Sequence, residues 1–195
     1  MSGEATWRRA ERHRLRAQRE AFSEAFLQES SATIARNLEQ ALPSLTSLTF
    51  GFYWALPGEP DLRDAASRWI EAGAQAALPE TAKNQPLTFR PWQPGAVMRP
   101  GVWNIPVPET PAIAHPDVLI IPCLGHDTSG YRLGHGGGFY DRTLAAASPR
   151  PLAVGVGYSQ AALATIHPQA HDIPMDVIVT ELAIVWHSPH HAAFR

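Results

Sequence analysis

Between Arg132 and Arg142 the chain reads RLGHGGGFYDR, and Gly134, Gly136, Gly137 and Gly138 carry no side chain. Glycine loses more backbone freedom on folding than other residues, so such a run needs a compensating use. Bare N–H groups leading into a helix can approach phosphate oxygens closely, and the helix start favours negative charge. A turn made only for packing needs no charged brackets, yet Arg132, Asp141 and Arg142 flank this one. Arg132 presents a planar fork suited to phosphate oxygens. Asp141 by itself reads as a helix-terminal acid favoured by the dipole. Two familiar phosphate signatures do not fit. A Walker loop started at Gly134 needs glycine where Phe139 stands and a lysine after it, and the dinucleotide fingerprint fails at the same Phe139.

The elements around this loop follow from periodicity. Leu15, Phe22, Phe26, Ile34 and Leu38 recur at helical spacing, so residues 4–40 read as mostly helix, interrupted at Ser23 and ended by Pro43. Residues 47–56 are aromatic-rich and read as a strand. Asp61 can cap a helix to about residue 73, with Leu62, Ala66, Trp69 and Ile70 inward. Weak strands follow at 76–78 and 86–92, and the proline-rich stretch 95–115 reads as a long loop. The continuous apolar run from Asp117 to Pro122 is typical of a buried parallel strand. A helix over 139–147, a strand over 152–156, a short helix over 159–165 and a strand region over 176–186 complete the pattern. Strands alternating with helices predict a single α/β domain with a Rossmann-like, largely parallel sheet and flanking helices over residues 1–195.

Composition narrows the class. The 195 residues are 45% hydrophobic and 17% charged with net charge −2, as in a globular protein that is not a general polyanion binder. Six arginines, at 8, 9, 12, 14, 16 and 19, face a single acid, Glu11, within one short stretch. Such a patch can meet phosphates, but nucleic-acid binding would need basic residues and aromatics interleaved over a face, and beyond Arg19 the chain lacks them. One cysteine, Cys123, allows no internal disulfide and agrees with a cytoplasmic setting. No apolar run reaches membrane-span length, and the N-terminus lacks the apolar core of a secretory signal.

The glycine block resembles the R-L-G-x-G-x-G-[FY]-Y-D-R signature of the 5-formyltetrahydrofolate cyclo-ligase family, also called methenyltetrahydrofolate synthetases. Weaker blocks follow in order: the arginine-rich first helix, Trp54 with Glu59, WNIPVPE over 103–109, the strand from Asp117, Asp127 with Gly130, GVGY over 155–158 with Gln160, HDIPMD over 171–176, and Val179-Thr180-Glu181. The resemblance implies ATP-dependent closure of 5-formyltetrahydrofolate to 5,10-methenyltetrahydrofolate, by a monomer with no nucleic-acid or membrane partner. It implies that Arg132 and Tyr140 are catalytic, and that ATP meets Arg8, Arg12 and the loop from Arg132 through Leu133, Gly134, His135, Gly136, Gly137, Gly138 and Phe139 to Tyr140. A shift of the basic pair to Arg12 and Arg16 stays open. Folate is expected at Trp54, Glu59, His135, Gly136, Gly137, Gly138 and Phe139, with Glu59 on the pterin's amino edge. Mg2+ is expected on Asp141 and Asp172. Trp103 can wall the pocket or anchor its own loop.

Two positions depart from the family pattern. Some relatives carry a lysine where this chain has Gly137, so Arg132, Arg142, the N-terminal helix or Mg2+ must supply more positive charge. His126 replaces a usual aromatic, and His135 fills the variable position; either could make activity pH-sensitive. A catalytically silent binder of folate or nucleotide is therefore the first alternative, and a nucleic-acid-binding protein the second. His167 and His171 have zinc-like spacing, but Pro168 and the lack of a third ligand favour a polar loop. His187, His190 and His191 read as an exposed tail, and Cys123 as a small buried hydrophobe.

Overall fold

Ser23 separates two helices in the computed structural model, which describes residues 3–188. Its side-chain oxygen accepts the Phe26 N–H and starts α2 (Glu24–Ala41) after α1 (Gly3–Glu20) has ended. The chain then continues through β1 (Thr49–Gly51), α3 (Arg63–Glu71), β2 (Gln75–Glu80), β3 (Thr88–Trp92), β4 (Met98–Pro100), β5 (Pro106–Pro108) and β6 (Val118–Pro122). Next come β7 (Gly125–Asp127), β8 (Arg132–Leu133), α4 (Phe139–Ala146), β9 (Leu152–Val156), β10 (Ala162–Leu163), β11 (Val177–Val179) and β12 (Ile184–Trp186). His190 and His191 lie outside the described residues.

Seven strands form the main sheet in the order β12-β11-β9-β6-β1-β2-β3. The pairs from β11 to β2 are parallel, and β12 and β3 close the edges antiparallel. The apolar run of β6 is explained by burial on both faces. Val118 and Ile120 join the core beneath α2 and α3, whereas Leu119 and Ile121 join a second core beneath α4. This is the α/β fold expected. Pro79 is tolerated in β2 because β1 pairs only with Gln75–Ala77, so the missing N–H falls where the strand is an edge.

Several expectations need correction. The 47–56 strand contracts to three residues, because the chain leaves the sheet after Gly51 to build the pocket wall. Residues 95–115 are no featureless loop: β4 and β5 form a hairpin around a 3-10 turn at Val102–Asn104. Residues 159–165 hold a 3-10 turn and the short β10 in place of a helix. β10 joins β7 and β8 in a small second sheet. Leu15 of α1 packs on that sheet with Leu124, Leu133, Ala161 and Ile166, so α1 covers the small sheet and leaves the main core to α2.

Asp127 fixes the turn that delivers Arg132. Its buried carboxylate accepts the Ser129 and Tyr131 N–H groups on one oxygen and the Ile166 N–H on the other, each at 3.0 Å. Asp127→Ala would strand three backbone donors. Only the Ile166 N–H is buried, so at about 1–3 kcal/mol for an unsatisfied buried group we expect a loss of about 2 kcal/mol, read as a lower urea midpoint. A shift below 1 kcal/mol would mean that water replaces the carboxylate.

Candidate active site

In parallel sheets, ligand crevices open at the carboxyl ends of the strands where the strand order reverses. Here that point lies between β1 and β6. A cavity of about 210 Å3 opens there, lined by Tyr53, Trp54 and Glu59 after β1 and by Pro122 at the end of β6. The glycine loop forms its floor and α1 one wall. The β4–β5 hairpin supplies Val102, Trp103, Ile105 and Val107 opposite. Trp103 is thus a wall of the pocket, as one of its two sequence readings had it, whereas Val102, Ile105 and Val107 beside it were not singled out.

The loop's shape depends on glycine at its last position. Gly138 has φ +64 at the start of α4, in the left-handed region, and a Cβ there would meet the Arg142 guanidinium at 2.9 Å. At Gly137 a Cβ would stand 2.7 Å from the Phe139 ring, so the missing lysine is coupled to the ring packed against this position. Arg142 stands in part where that charge is missing. It donates to the Gly137 carbonyl at 2.8 Å and lies 5.0 Å over the Phe139 ring.

Helix α1 lays its arginines along the loop, because positions three and four apart share a face. Arg8 makes a two-pronged pair with Asp172, at 2.6 and 3.1 Å. Arg12 Nε donates to the Gly134 carbonyl at 2.8 Å, and Arg16 donates to the His135 carbonyl at 3.2 Å. Arg8 and Arg12 line the cavity, whereas Arg16 lines a neighbouring one shared with His135 and Trp103. Burial, together with the charges of Arg8 and Arg16, lowers the Arg12 pKa against the pull of Asp172. This excess of positive charge over a bare backbone suits a polyanion.

Arg132 comes off β8 into the same space and is 7% exposed. It pairs with Asp141 at 3.0 Å, donates to the Ile173 carbonyl at 3.2 Å, and lies 5.9 Å over the Tyr140 ring. Burial, reinforced by the Glu59 charge, pushes the Tyr140 phenol far above its ordinary range, so it stays a neutral donor. Asp141 also accepts the Ile173 N–H at 3.1 Å. Burial acts to raise the Asp172 pKa, but the Arg8 hydrogen bonds and the Gln169 N–H prevail and hold it below the usual carboxylate range.

Glu59 is 6% exposed and faces three partners. Leu56 N–H donates to one oxygen at 2.9 Å, while His135 Nε2 at 2.9 Å and Arg19 at 3.5 Å meet the other. Arg19 was missed because an arginine on a basic helix resembles a solvated one; here it is buried and also donates to the Cys123 carbonyl. Trp54 lines the cavity and carries the Arg63 guanidinium 4.6 Å over its ring. Trp103 also faces it, edge-on to Phe139 at 6.3 Å.

Of the residues expected to meet ATP, folate or metal, Arg16, Arg142 and Leu133 do not line this cavity and the others do. The Leu133 side chain turns into the core under α1. His126 also lies elsewhere, with Nε2 3.3 Å from the Tyr158 carbonyl, and burial lowers its pKa. Asp172 and Asp141 do not form a ready-made metal cage: among the described residues no three metal-ligating side chains cluster. No helix is long and apolar enough to cross a membrane, among the same residues.

Comparison with known proteins places the chain in a family. The family model of the 5-formyltetrahydrofolate cyclo-ligase family matches residues 4–181. The 5-formyltetrahydrofolate cyclo-ligase of Mycolicibacterium smegmatis is 35% identical over 134 residues, covering 64% of this chain and 67% of that one. The Escherichia coli protein of the same name is 27% identical over 176 residues, covering 85% and 96%. Among solved structures, the 5,10-methenyltetrahydrofolate synthetase of Aquifex aeolicus superposes with a TM-score of 0.80 at 27% identity over 92% of each chain. With a family match that spans both the glycine block and every residue lining the crevice, the chain belongs to the 5-formyltetrahydrofolate cyclo-ligase family, a family of ligases.

Proposed function

We propose that this chain closes 5-formyltetrahydrofolate to 5,10-methenyltetrahydrofolate with ATP, releasing ADP and phosphate. The observation that carries this reading is a single cavity joining an arginine-lined glycine loop to a buried carboxylate and aromatic rings. An N-formyl group is an amide and a poor electrophile. Its oxygen attacks the γ-phosphorus, and the bond from that phosphorus to the ADP oxygen breaks. The N10 lone pair then adds to the formyl carbon. The carbon–oxygen bond breaks, phosphate leaves with the former formyl oxygen, and N10 gives up its proton.

Such chemistry depends on positioning and charge neutralisation. Arg8, Arg12 and Arg132 hold the triphosphate with the N–H groups of residues 134–138. Tyr140 donates to an oxygen on which charge develops. Glu59 takes the pterin amino edge while Trp54 and Phe139 flank the rings. The aromatic and acidic wall is continuous with the phosphate floor in one cavity, which supports two substrates side by side.

Mg2+ is implied by this reading, and the two acids differ in their fitness for it. Each Asp141 oxygen has one partner, so the carboxylate keeps spare acceptor capacity. Asp172 is committed to Arg8 through both oxygens and to Gln169 N–H besides, so its role is to hold Arg8 in place. Asp141 would hold the ion, which would supply neutralisation of phosphate charge.

The test mixes purified protein, MgATP and 5-formyltetrahydrofolate and follows the methenyl product by absorbance. ATP-dependent product is expected; a folded protein giving none would leave only a silent binder. Asp141→Asn should lower the rate about 100-fold, as loss of a charge-stabilising group does, with partial recovery at high Mg2+. Full rate at low Mg2+ would sink the ligand assignment.

A further inference from the structure

The His135 ring spans the cavity. Its backbone belongs to the glycine loop, yet Nε2 lies 2.9 Å from Glu59 Oε1, and the Glu59 side chain is only 3% exposed. Of the five residues from 134 to 138, His135 is the one with a side chain. On its outer side Arg16 contacts the His135 carbonyl at 3.2 Å and Nδ1 at 3.5 Å. A pterin amino edge that pairs two-pronged with Glu59 needs both oxygens, and Oε1 is already met by His135 and Arg19 while Oε2 keeps room beside the Leu56 N–H.

We propose that His135 is a positioning residue that interlocks the two substrates: it seals Glu59 until nucleotide phosphates engage the glycine loop. The inference rests on the folate reading of the cavity given above. Phosphate oxygens drawn to the N–H groups of residues 134–138 pull on the backbone that carries His135, and the flanking glycines let it pivot. The ring then leaves Glu59, and the carboxylate becomes available to the pterin amino edge. Without nucleotide, the folate must displace the ring itself, which lowers its apparent affinity by the fraction of protein already open. Linkage requires the reverse as well, so bound folate tightens nucleotide to the same degree. The device favours folate binding where ATP is already present.

Binding of 5-formyltetrahydrofolate is measured by tryptophan fluorescence, with and without Mg2+ and a non-hydrolysable ATP analogue, on the full chain. Native protein should bind folate at least about 5-fold more tightly with the analogue, within the usual range for coupled sites. His135→Ala should bind folate alone nearly as tightly as native protein does with the analogue, and its coupling should fall towards 1. His135→Gln keeps a donor towards Glu59 and should retain measurable coupling. Thermal melts confirm that both variants fold. Equal folate affinity with and without analogue in the native protein, or unchanged coupling in His135→Ala, overturns the interlock while leaving the cyclisation reading intact. If native protein forms no ATP-dependent product and binds no folate under any condition, both fall together.

Discussion

Arg132→Lys should cut kcat/KM by about 100-fold or more, the cost seen when one preorganised donor to developing charge is removed. The substitution keeps the positive charge, so the loss tests shape. Arg132 is buried and works in two directions at once, holding Asp141 at 3.0 Å and the Ile173 carbonyl at 3.2 Å while lining the cavity. A lysine is a point charge on a flexible stem and cannot brace the acid while offering a planar edge to phosphate. The fall should sit mainly in kcat, because charge on the transferring phosphoryl group is larger in the transition state than in bound ATP. Steady-state kinetics with both substrates varied, beside a thermal melt, would decide. A variant within fivefold of native would reduce Arg132 to a brace for Asp141.

The frame of this molecule was legible in the sequence wherever one physical signal acted locally. The run from Asp117 to Pro122 announces burial on both faces, and the glycine block announces a bare loop before a helix; both are where expected. The β4–β5 hairpin was not legible, because its three-residue strands contain prolines and are too short to show alternation. The small sheet of β7, β8 and β10 was hidden because its strands are only two or three residues long. Ser23 shows the middle case: an interruption was visible, and the capping bond explains it.

The site was legible as residue types and illegible as partnerships. Arg8 and Asp172 are 164 positions apart, and nothing local says that one acid will be spent on an arginine. Arg19 is the sharper example. Its periodicity places it on the same basic helix as Arg14, which stays at the surface beside Glu11, yet Arg19 is buried against Glu59 and Cys123. Which turn of a helix meets the core is set by the small sheet packed beneath it, and that sheet left no periodic trace.

Glu59→Gln should raise KM for 5-formyltetrahydrofolate by about 10- to 100-fold, the equivalent of 1.4–2.8 kcal/mol, with KM for ATP little changed. A carboxylate accepts two hydrogen bonds from an amidine-like edge, whereas the amide offers one acceptor and turns a donor towards a donor. A competing account makes Glu59 purely the counter-charge of Arg19. That pair is buried at 3.5 Å, the Cys123 carbonyl already satisfies part of the guanidinium, and Arg19 Nε has no hydrogen-bond partner. Removing one charge from a buried pair is strongly destabilising, so the structural account predicts a lower melting temperature and an unchanged KM among molecules that remain folded. The two accounts therefore separate on one protein sample. Arg19→Gln supplies the complementary arm: it removes the counter-charge while leaving the carboxylate, so it should cost stability and spare most of the folate affinity. If Glu59→Gln melts early but binds folate as tightly as native protein, the acid serves the fold, and the pterin edge must be read by another group in the cavity.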